Sequence, residues 1–584
     1  MTTVRDAAFD VLRRYGLTTV FGNPGSTEVT LLTGLPDDLR FVLALHEGSV
    51  VGMATGWAIG HEAPALAVLH TTAGLGNAVG AIATARVNRV PLVILVGQQD
   101  RRHLALEPFL TGHLSGLAGD YPVRVDQPVR AQDVPGALAR AFHEATTFRG
   151  PALVVVPMDD WEAPFSGETV AAPARMVRPA GVSDDDLAPL VELLSGARSP
   201  AIVAGAGAGW DPLVALAERL GCPVFQESFG GRAGFPQDHP QYAGVLPADR
   251  SRLRETLAGH DVVLAVGAPV FRQYPYAPGP LVAPGTSVAV VTDDPAEAHR
   301  SPADLAYLAS PPAVCARLAA LLPSPSAVRA RLAALLPSPS AVCARLATPL
   351  PSSSPAARRA PAPDIPELPA EGRAPTADVP EPPATGRAPT ADVPELPAAG
   401  RPLRAAHVLR ELALRLPADT VLIEETPSSR PDLHRLVPAR TPLGFLSAAM
   451  GGLGFALPAA VGLRMALPDR PVIAVVGDGS ALYGVHALWS ATHYRVGALF
   501  VVLSNGRYAI MDRLADKQGG KAPWPPFTEV DMGGLARSLG CPARRVDSYD
   551  ELTAALDEVL PSLASREEPL LLDVTVTVDP DFQP

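Results

Sequence analysis

Lysine is nearly absent: among 584 residues only Lys517 and Lys521 occur, and arginine carries the rest of the basic charge. That usage fits a GC-rich coding bias and points to no function. Basic charge is also in deficit, with Lys+Arg 48 against Asp+Glu 60 and a formal net charge of −12. A surface of that sign repels polyanions, so neither nucleic acid nor an anionic membrane is expected as the main partner. Cysteine is scarce as well. Cys222, Cys315, Cys343 and Cys541 are too few and too scattered for a disulfide framework or a zinc site. A reducing, cytoplasmic compartment fits them best. The opening MTTVRDAAFDVLRRYG has no apolar h-region, so no secretory signal is expected. Long apolar runs are missing too: the window 451–467 is interrupted by Pro458 and Arg464, which argues against a membrane span.

Proline is in excess, at 64 of 584 residues about twice its usual share. Much of it lies in a repetitive stretch. AVCARLAALLPSPS starts at Ala313, AVRARLAALLPSPS at Ala327 and AVCARLATPLPSSS at Ala341, a spacing of 14. IPELPAEGR (365), VPEPPATGR (379) and VPELPAAGR (393) repeat at the same spacing. This reads as a short helix copied in tandem and then an extended Pro-rich linker, expected to be disordered. The rest of the chain alternates buried-strand and helix patterns, which implies α/β domains built on doubly wound parallel sheets. The expected boundaries are 1–180, a central domain at 181–322, the linker at 323–403 and a last domain at 404–584.

Four motifs carry chemistry. GDGS (477–480) ends one strand, and Ser504-Asn505-Gly506 ends another. Neighbouring strand ends share one sheet edge, where ligands bind. An Asp carboxylate (Asp478), an Asn amide oxygen (Asn505) and a backbone carbonyl are hard ligands suited to Mg²⁺. Gly477, Gly479 and Ser480 open a helix whose N–H groups can approach a diphosphate. Glu47 ends FVLALHE, a poorly solvated place for a carboxylate. FGNPGSTE (21–28) and LHTTAGLGNAVGA (69–81) put Ser26 and His70 at the same edge as Glu47. The AGAGAG run at 204–209 lacks the acidic partner of a dinucleotide fingerprint and reads as a structural strand-to-helix turn.

Together with GQQ (97–99), PMDDW (157–161), GAPVFR (267–272), GGLGFALPAA (451–460) and VIAVVGDGSA, these segments resemble the benzoylformate decarboxylases and their close relatives in the thiamine diphosphate-dependent decarboxylase superfamily. The resemblance spans nearly the whole chain outside 323–403. It implies a pyrimidine-binding domain, a central domain and a diphosphate-binding domain. It also implies thiamine diphosphate with Mg²⁺, and decarboxylation of a 2-keto acid, benzoylformate or a similar aryl acid, to CO₂ and an aldehyde.

By the same resemblance, Glu47 bonds N1′ of the aminopyrimidine and the Gly451 carbonyl meets N4′. Leu453 is the apolar wedge under the thiazolium. Asp478, Asn505 and the carbonyl of Arg507 ligate Mg²⁺. Thr426 and Ser428, in the segment Glu425–Ser429, line the diphosphate. The turn Asn23, Pro24, Gly25 approaches the ligand, Ser26 orients the substrate, and His70 handles protons. One subunit's Glu47 meets another's Asp478, so a homodimer is the minimum and a homotetramer is usual. Phe109, Leu110, Ile510, Met511 and Leu514 are the candidate pocket walls.

Two departures stand out. Ser504 replaces the first Asn of the family's GDG…NN motif. Tyr274 stands where the family has a second catalytic His, and a phenol does not supply an imidazolium's acidity. Slower proton delivery leaves carboligation to 2-hydroxy ketones as an alternative outcome. The pocket also leaves a branched aliphatic acid open as substrate. A non-catalytic scaffold role is the reading from another class, and the intact Ser26–Glu47–His70 set argues against it.

Overall fold

Runs such as ALAVL (65–69) and LVILVGQ (92–98) are apolar throughout rather than alternating. A strand of that kind needs cover on both faces, and both are buried at every position. The computed structural model describes residues 2–171, 174, 182–274, 276–323, 395, 397 and 402–579. Among these, the strands form three six-stranded sheets in which every pairing is parallel.

The first sheet runs Arg40–Leu43, Thr19–Gly22, Ala65–Leu69, Leu92–Gln98, Pro151–Pro157, Arg124–Asp126. The third runs Leu446–Ser447, Val421–Glu425, Val472–Gly477, Leu499–Ser504, Leu570–Thr575, Ala543–Val546. These two share one strand order, so they are built on one plan. The central sheet runs Leu305–Leu308, Ser287–Thr292, Val262–Val266, Pro200–Ala204, Val224–Gln226, Tyr242–Val245. Its first strand lies beside its fourth, which places a topological switch point between Pro200–Ala204 and Val262–Val266.

The first and third domains share one core. Helix Glu47–His61 lies along helix Ala456–Ala466, and the contact is made by small residues. A Cβ on Gly56 would stand 2.1 Å from the Ala459 carbonyl oxygen, and one on Gly462 would stand 1.9 Å from that of Met53. Only glycine lets the two backbones approach this closely.

The first copy of the repeat folds as helix Pro311–Leu321, which buries Val314, Cys315 and Leu318 against the central domain. The later copies and most of the Pro-rich array, expected to be a disordered linker, lie outside the described residues. No helix among the described residues is long and apolar enough to cross a membrane. The expected strand FVLALHE is shorter than its apolar pattern suggests. It ends at Leu43, and Glu47 opens a helix because the His46 ring Nδ1 accepts from Gly48 N and caps it. The GGLGF part of the GGLGFALPAA segment is a loop, and the helix that follows starts at Ala456.

Gly56→Val should therefore cost more than about 3 kcal/mol, since neither backbone can yield. Gly136→Ala, with open space around its Cβ, should be neutral or slightly stabilising. Urea unfolding of the two variants beside the parent tests this, and equal midpoints would refute the glycine contact.

Candidate active site

Parallel strands deliver their following turns to one edge, and the first domain uses three of them. Asn23, Pro24, Gly25 and Ser26 follow Thr19–Gly22, Glu47 follows Arg40–Leu43, and His70 follows Ala65–Leu69. Glu47 is buried, and its carboxylate accepts from Asn23 Nδ2 (3.1 Å, Oε1) and from Asn77 Nδ2 (3.1 Å, Oε2). Two amide donors fix the carboxylate without a cation. Asn77, one helix turn and a half along Thr71–Val87, was not singled out by the sequence reading. Its place in LGNAVGA was visible, but no spacing rule marks an Asn that donates across to another helix.

His70 stands at the N-cap position of helix Thr71–Val87 without a side-chain capping bond, and its ring is half-buried. Its Nδ1 lies 2.9 Å from Thr27 Oγ1 and 3.1 Å from Glu28 Oε2. Glu28 is buried, accepts from Gly25 N (2.9 Å) and takes a hydrogen bond from the Thr27 hydroxyl. Burial raises the Glu28 carboxyl above the usual carboxylate range, and these donors offset only part of that rise. A more basic carboxylate is a stronger acceptor for the proton on His70 Nδ1. That leaves Nε2 as the imidazole nitrogen free to exchange a proton. Glu28 too was missed by the sequence reading, although it ends the quoted FGNPGSTE. Gly25 makes the close approach possible, because a Cβ there would stand 2.3 Å from the His70 ring. Ser26 is exposed beside it.

The third domain carries a second cluster. Asp478 opens helix Asp478–Gly484, and its Oδ1 accepts from Gly479 N (2.8 Å). Oδ2 accepts from Asn505 N (2.8 Å) and Gly506 N (2.6 Å), which ties the GDG turn to the SNG turn. Burial raises the Asp478 carboxyl above its ordinary range. Asn505 Oδ1 accepts from Arg507 N (3.1 Å), and the Arg507 guanidinium pairs with Asp512 (2.7 Å). The Arg507 side chain is thus turned to Asp512, and only its carbonyl is left for a ligand role.

Among the described residues no three His, Cys, Asp or Glu side chains group as a metal site. An Asp, an Asn amide and a carbonyl would hold Mg²⁺ with one carboxylate, and that donor set is present. Ser504 donates to Asp573 Oδ1 (2.5 Å) and does not face Asp478 through a described bond. Ser480 is buried, Ser428 is half-buried, and Thr426 donates to Glu424 Oε1 from both its N–H (2.6 Å) and its hydroxyl (3.2 Å).

Glu425, the first residue of the expected diphosphate segment, does something the sequence did not reveal. Its carboxylate accepts from Gly454 N (2.6 Å), Phe455 N (2.8 Å) and Ala456 N (2.7 Å). It therefore caps helix Ala456–Ala466 and anchors the loop that bears Gly451 and Leu453. Gly451 has φ 73°, with nothing within 4 Å of its Cβ position, and Leu453 is partly exposed.

Glu47 and the Gly451–Gly454 loop meet the same helix, Thr71–Val87, at different levels. A Cβ on Gly74 would lie 3.4 Å from Glu47 Cγ, whereas one on Gly452 would lie 3.1 Å from Thr84 Oγ1. Asn88 bonds the Ser447 carbonyl (2.9 Å) and Ala449 N (2.8 Å). Roughly ten residues, about 15 Å of helix, separate the two levels. Phe109 and Met511 are exposed, Leu110 has φ 68°, and Ile510 and Leu514 are half-buried. Tyr274 is 61 % exposed on the loop after Val262–Val266, with its N–H on the Ala248 carbonyl (3.0 Å). No described contact joins it to Ser26 or His70.

Sequence models of thiamine pyrophosphate enzymes match three segments. These are the N-terminal TPP binding domain at 2–118, the central domain at 187–318 and the C-terminal TPP binding domain at 428–574. The chain belongs to the thiamine pyrophosphate enzyme family. Within it, the chain is 37% identical over 589 residues to benzoylformate decarboxylase of Pseudomonas aeruginosa, covering 99% of this chain and 100% of that one. It is similar to the solved thiamine diphosphate-dependent 4-hydroxybenzoylformate decarboxylase of Rhodococcus jostii RHA1, with 33% identity, TM-score 0.83, and coverage of 99% of this chain and 100% of that chain. It is also similar to benzoylformate decarboxylase of Polynucleobacter necessarius, with 30% identity, TM-score 0.83, and coverage of 100% of both chains.

Glu28→Gln keeps the shape and removes the charge behind His70. A hydrogen bond to a charged group is worth about 1.5–3 kcal/mol, so kcat should fall about 10- to 100-fold, and the acidic limb of the pH–rate profile should move. An unchanged profile in a folded variant would show that Glu28 only packs.

Proposed function

We propose that this enzyme decarboxylates an aryl 2-keto acid, benzoylformate or a near relative, to CO₂ and the aldehyde, with thiamine diphosphate and Mg²⁺. The observation that carries this reading is the Glu47 carboxylate, held by two amides at one sheet edge with the Glu28–His70 couple and Ser26. The full-length similarity to decarboxylases of benzoylformate and 4-hydroxybenzoylformate supports the substrate class. When bound, thiamine diphosphate supplies a nucleophilic carbon and an electron sink for the bond next to the ketone.

The remaining work falls to the chain's own groups. Glu47 would hold the aminopyrimidine of the cofactor. Asp478, Asn505 and the Arg507 carbonyl would hold Mg²⁺ against the diphosphate, with the N–H groups at Gly479 and Ser480 beside it. Ser26 orients the substrate carboxylate, and His70 moves a proton at the substrate oxygen through Nε2. Apolar walls from Phe109, Leu110, Ile510, Met511 and Leu514 exclude water, which favours loss of a charged carboxylate.

We assign the complete site to a homodimer at minimum, with a homotetramer as the full assembly. The levels of Glu47 and Gly452 on one helix, about 15 Å apart, support this, because that span is too wide for one aminopyrimidine to reach both. Exposed Phe109, Met450, Leu453, Tyr483 and Met511 support it too, as apolar surface left for a partner to cover. A reducing, cytoplasmic setting is supported by Cys222, Cys315 and Cys541, which are buried and unpaired, their thiols pushed up to about 12 by burial.

Exposed Tyr274 favours one second reading, carboligation to a 2-hydroxy ketone. Without an imidazolium at that position protonation slows, and a second aldehyde has longer to compete.

Glu47→Gln should lower kcat about 10²–10⁴-fold while the fold persists. Turnover of benzoylformate beside a branched aliphatic 2-keto acid, with CO₂ and aldehyde both counted, separates the readings. Matched CO₂ and aldehyde support decarboxylation, whereas CO₂ without free aldehyde supports carboligation. No CO₂ from either acid would overturn the proposal.

The dimer has its own test. Glu47→Gln and Asp478→Ala chains are each expected to be inactive. Mixed and reassembled, they should regain activity, because a hybrid dimer holds one site with both native residues. No recovery in verified hybrids would place both groups in one chain's site.

A further inference from the structure

Arg40–Leu43 is an edge strand, so one side of its backbone meets no other strand. Arg40 N and Ala44 N turn to the neighbouring strand and donate to the Thr18 and Gly22 carbonyls (2.8 and 3.0 Å). By the alternation of a parallel ladder, the polar groups of Leu43 turn the other way. The third domain takes both of them. Leu43 N donates to the Tyr494 hydroxyl oxygen (2.7 Å), and the Ser490 hydroxyl donates to the Leu43 carbonyl (2.9 Å). Ser490 lies on helix Ala487–His493, and Tyr494 is its C-cap. The segment that leads into Glu47 is therefore fastened to the third domain as well as to its own sheet.

The same two domains meet again directly before Glu47. His46 has extended backbone, and its Nδ1 accepts from Gly48 N (3.0 Å) in the first turn of helix Glu47–His61. His486, the residue before helix Ala487–His493, stacks its ring on that of His46. The centroids are 5.3 Å apart and the planes 15° from parallel. The Nδ1 of His486 is buried and has no hydrogen-bond partner. Burial, with His46 beside it, holds the His486 imidazole below its ordinary range.

This arrangement suits two neutral rings. A neutral imidazole has one nitrogen that donates and one that accepts. His46 uses Nδ1 as the acceptor, so its own proton belongs on Nε2. A second proton on Nδ1 would face the Gly48 N–H, open the cap and set a cation against a poorly solvated ring. Among the described residues no carboxylate pairs with either imidazole to offset this. The charged and titratable groups on the surrounding elements have other partners. Asn23 and Asn77 hold Glu47, backbone N–H groups hold Asp478, and Tyr483 bonds Tyr508. His493 stacks on Trp489 (4.8 Å), and Arg40 lies over the Tyr494 ring (5.6 Å).

We propose that His46 is a positioning residue for Glu47, holding its helix start only while Nδ1 carries no proton, with His486 keeping the pair uncharged. Acid then withdraws Glu47 from its place through His46, without acting on the Glu47 carboxylate or on His70. Histidine is the side chain whose ordinary titration falls between about pH 5 and 8, so the device responds within that range. Its consequence for turnover rests on Glu47 being the carboxylate that meets the cofactor.

His46→Asn and His46→Leu, compared with the parent as full-length chains saturated with thiamine diphosphate and Mg²⁺, test this. Asn caps through an amide oxygen that does not titrate, and Leu cannot cap. With benzoylformate as substrate, His46→Asn should keep kcat within about threefold of the parent at about pH 8 and lose less of it on the acidic side. His46→Leu should lose about fivefold at about pH 8, where the parent is capped. Glu28 and His70 are native throughout, so a moved acidic limb reports His46. Thermal unfolding gives a readout that needs no turnover. The drop in Tm between about pH 8 and about pH 5.5 should be smaller in His46→Asn than in the parent. An active parent beside a His46→Asn variant with the same acidic limb and the same Tm drop would refute the positioning role. No turnover by the parent would count against the substrate or cofactor reading instead, and the Tm comparison alone would then decide on His46.

Discussion

The contact between helices Glu47–His61 and Ala456–Ala466 constrains everything that carries function. Each helix begins at a candidate site residue, Glu47 on one and the Gly451–Gly454 loop before the other. Because glycines bring the backbones together, the helices cannot slide or roll without a clash of main-chain atoms. Close-packed interiors transmit position faithfully, so the two helix starts are fixed relative to each other by a contact lying mostly below them. Glu425 completes that device. Three N–H groups converge on its carboxylate, and burial still holds its carboxyl up to about 7. The donors favour the anion and the burial disfavours it. The geometry, three short bonds from successive backbone groups, speaks for the ionised capping form.

A common logic runs through the buried acids of the site. Glu28, Glu47, Glu425 and Asp478 all sit at or beyond the C-terminal ends of parallel strands, and neutral N–H or amide groups bond each of them, with the Thr27 hydroxyl and the His70 ring added at Glu28. Neutral donors hold a carboxylate in place without spending its charge on a salt bridge. That charge remains available to a cofactor, a metal ion or a proton. The contrast is with Glu424, which pairs with Arg430 (2.8 Å) and is held below the usual range despite its burial. Glu424 and Glu425 are sequence neighbours on one strand, pointing to opposite faces, one locked by a cation and one capping the site loop.

Much of this was legible in the sequence. The apolar runs gave the parallel sheets, and the motifs placed Asp478 beside Asn505 and put Ser26, Glu47 and His70 on one edge. Less visible were the residues that hold others. Asn77, Glu28 and Glu425 act by donating to or accepting from groups far along the chain or on another element, and no local period encodes that. The strand pattern also ran too long at FVLALHE, because apolar character continues through Ala44 and Leu45 after the ladder stops at Leu43. His46, which ends the extended segment by capping, reads in sequence as merely polar. Tyr274 follows the GAPVFR segment closely, but its exposure depends on how the loop after Val262–Val266 leaves the central domain.

The first and third domains share one strand order, so the chain presents two similar sheet edges with complementary chemistry. One offers a carboxylate and an imidazole. The other offers hard oxygen ligands and helix N–H groups. Within one chain these edges are held at different levels of helix Thr71–Val87, through Glu47 at Gly74 and Gly452 at Thr84. A two-fold axis is the simplest operation that resolves this, since it brings each edge of one chain against the opposite edge of its copy. In the proposed dimer both sites then form at once, and their apolar rims are buried in the same step. The glycine contact that keeps the edges apart within a chain thereby sets the geometry of assembly. In the proposed dimer, stiffness there would turn a single-chain separation into a need for two chains.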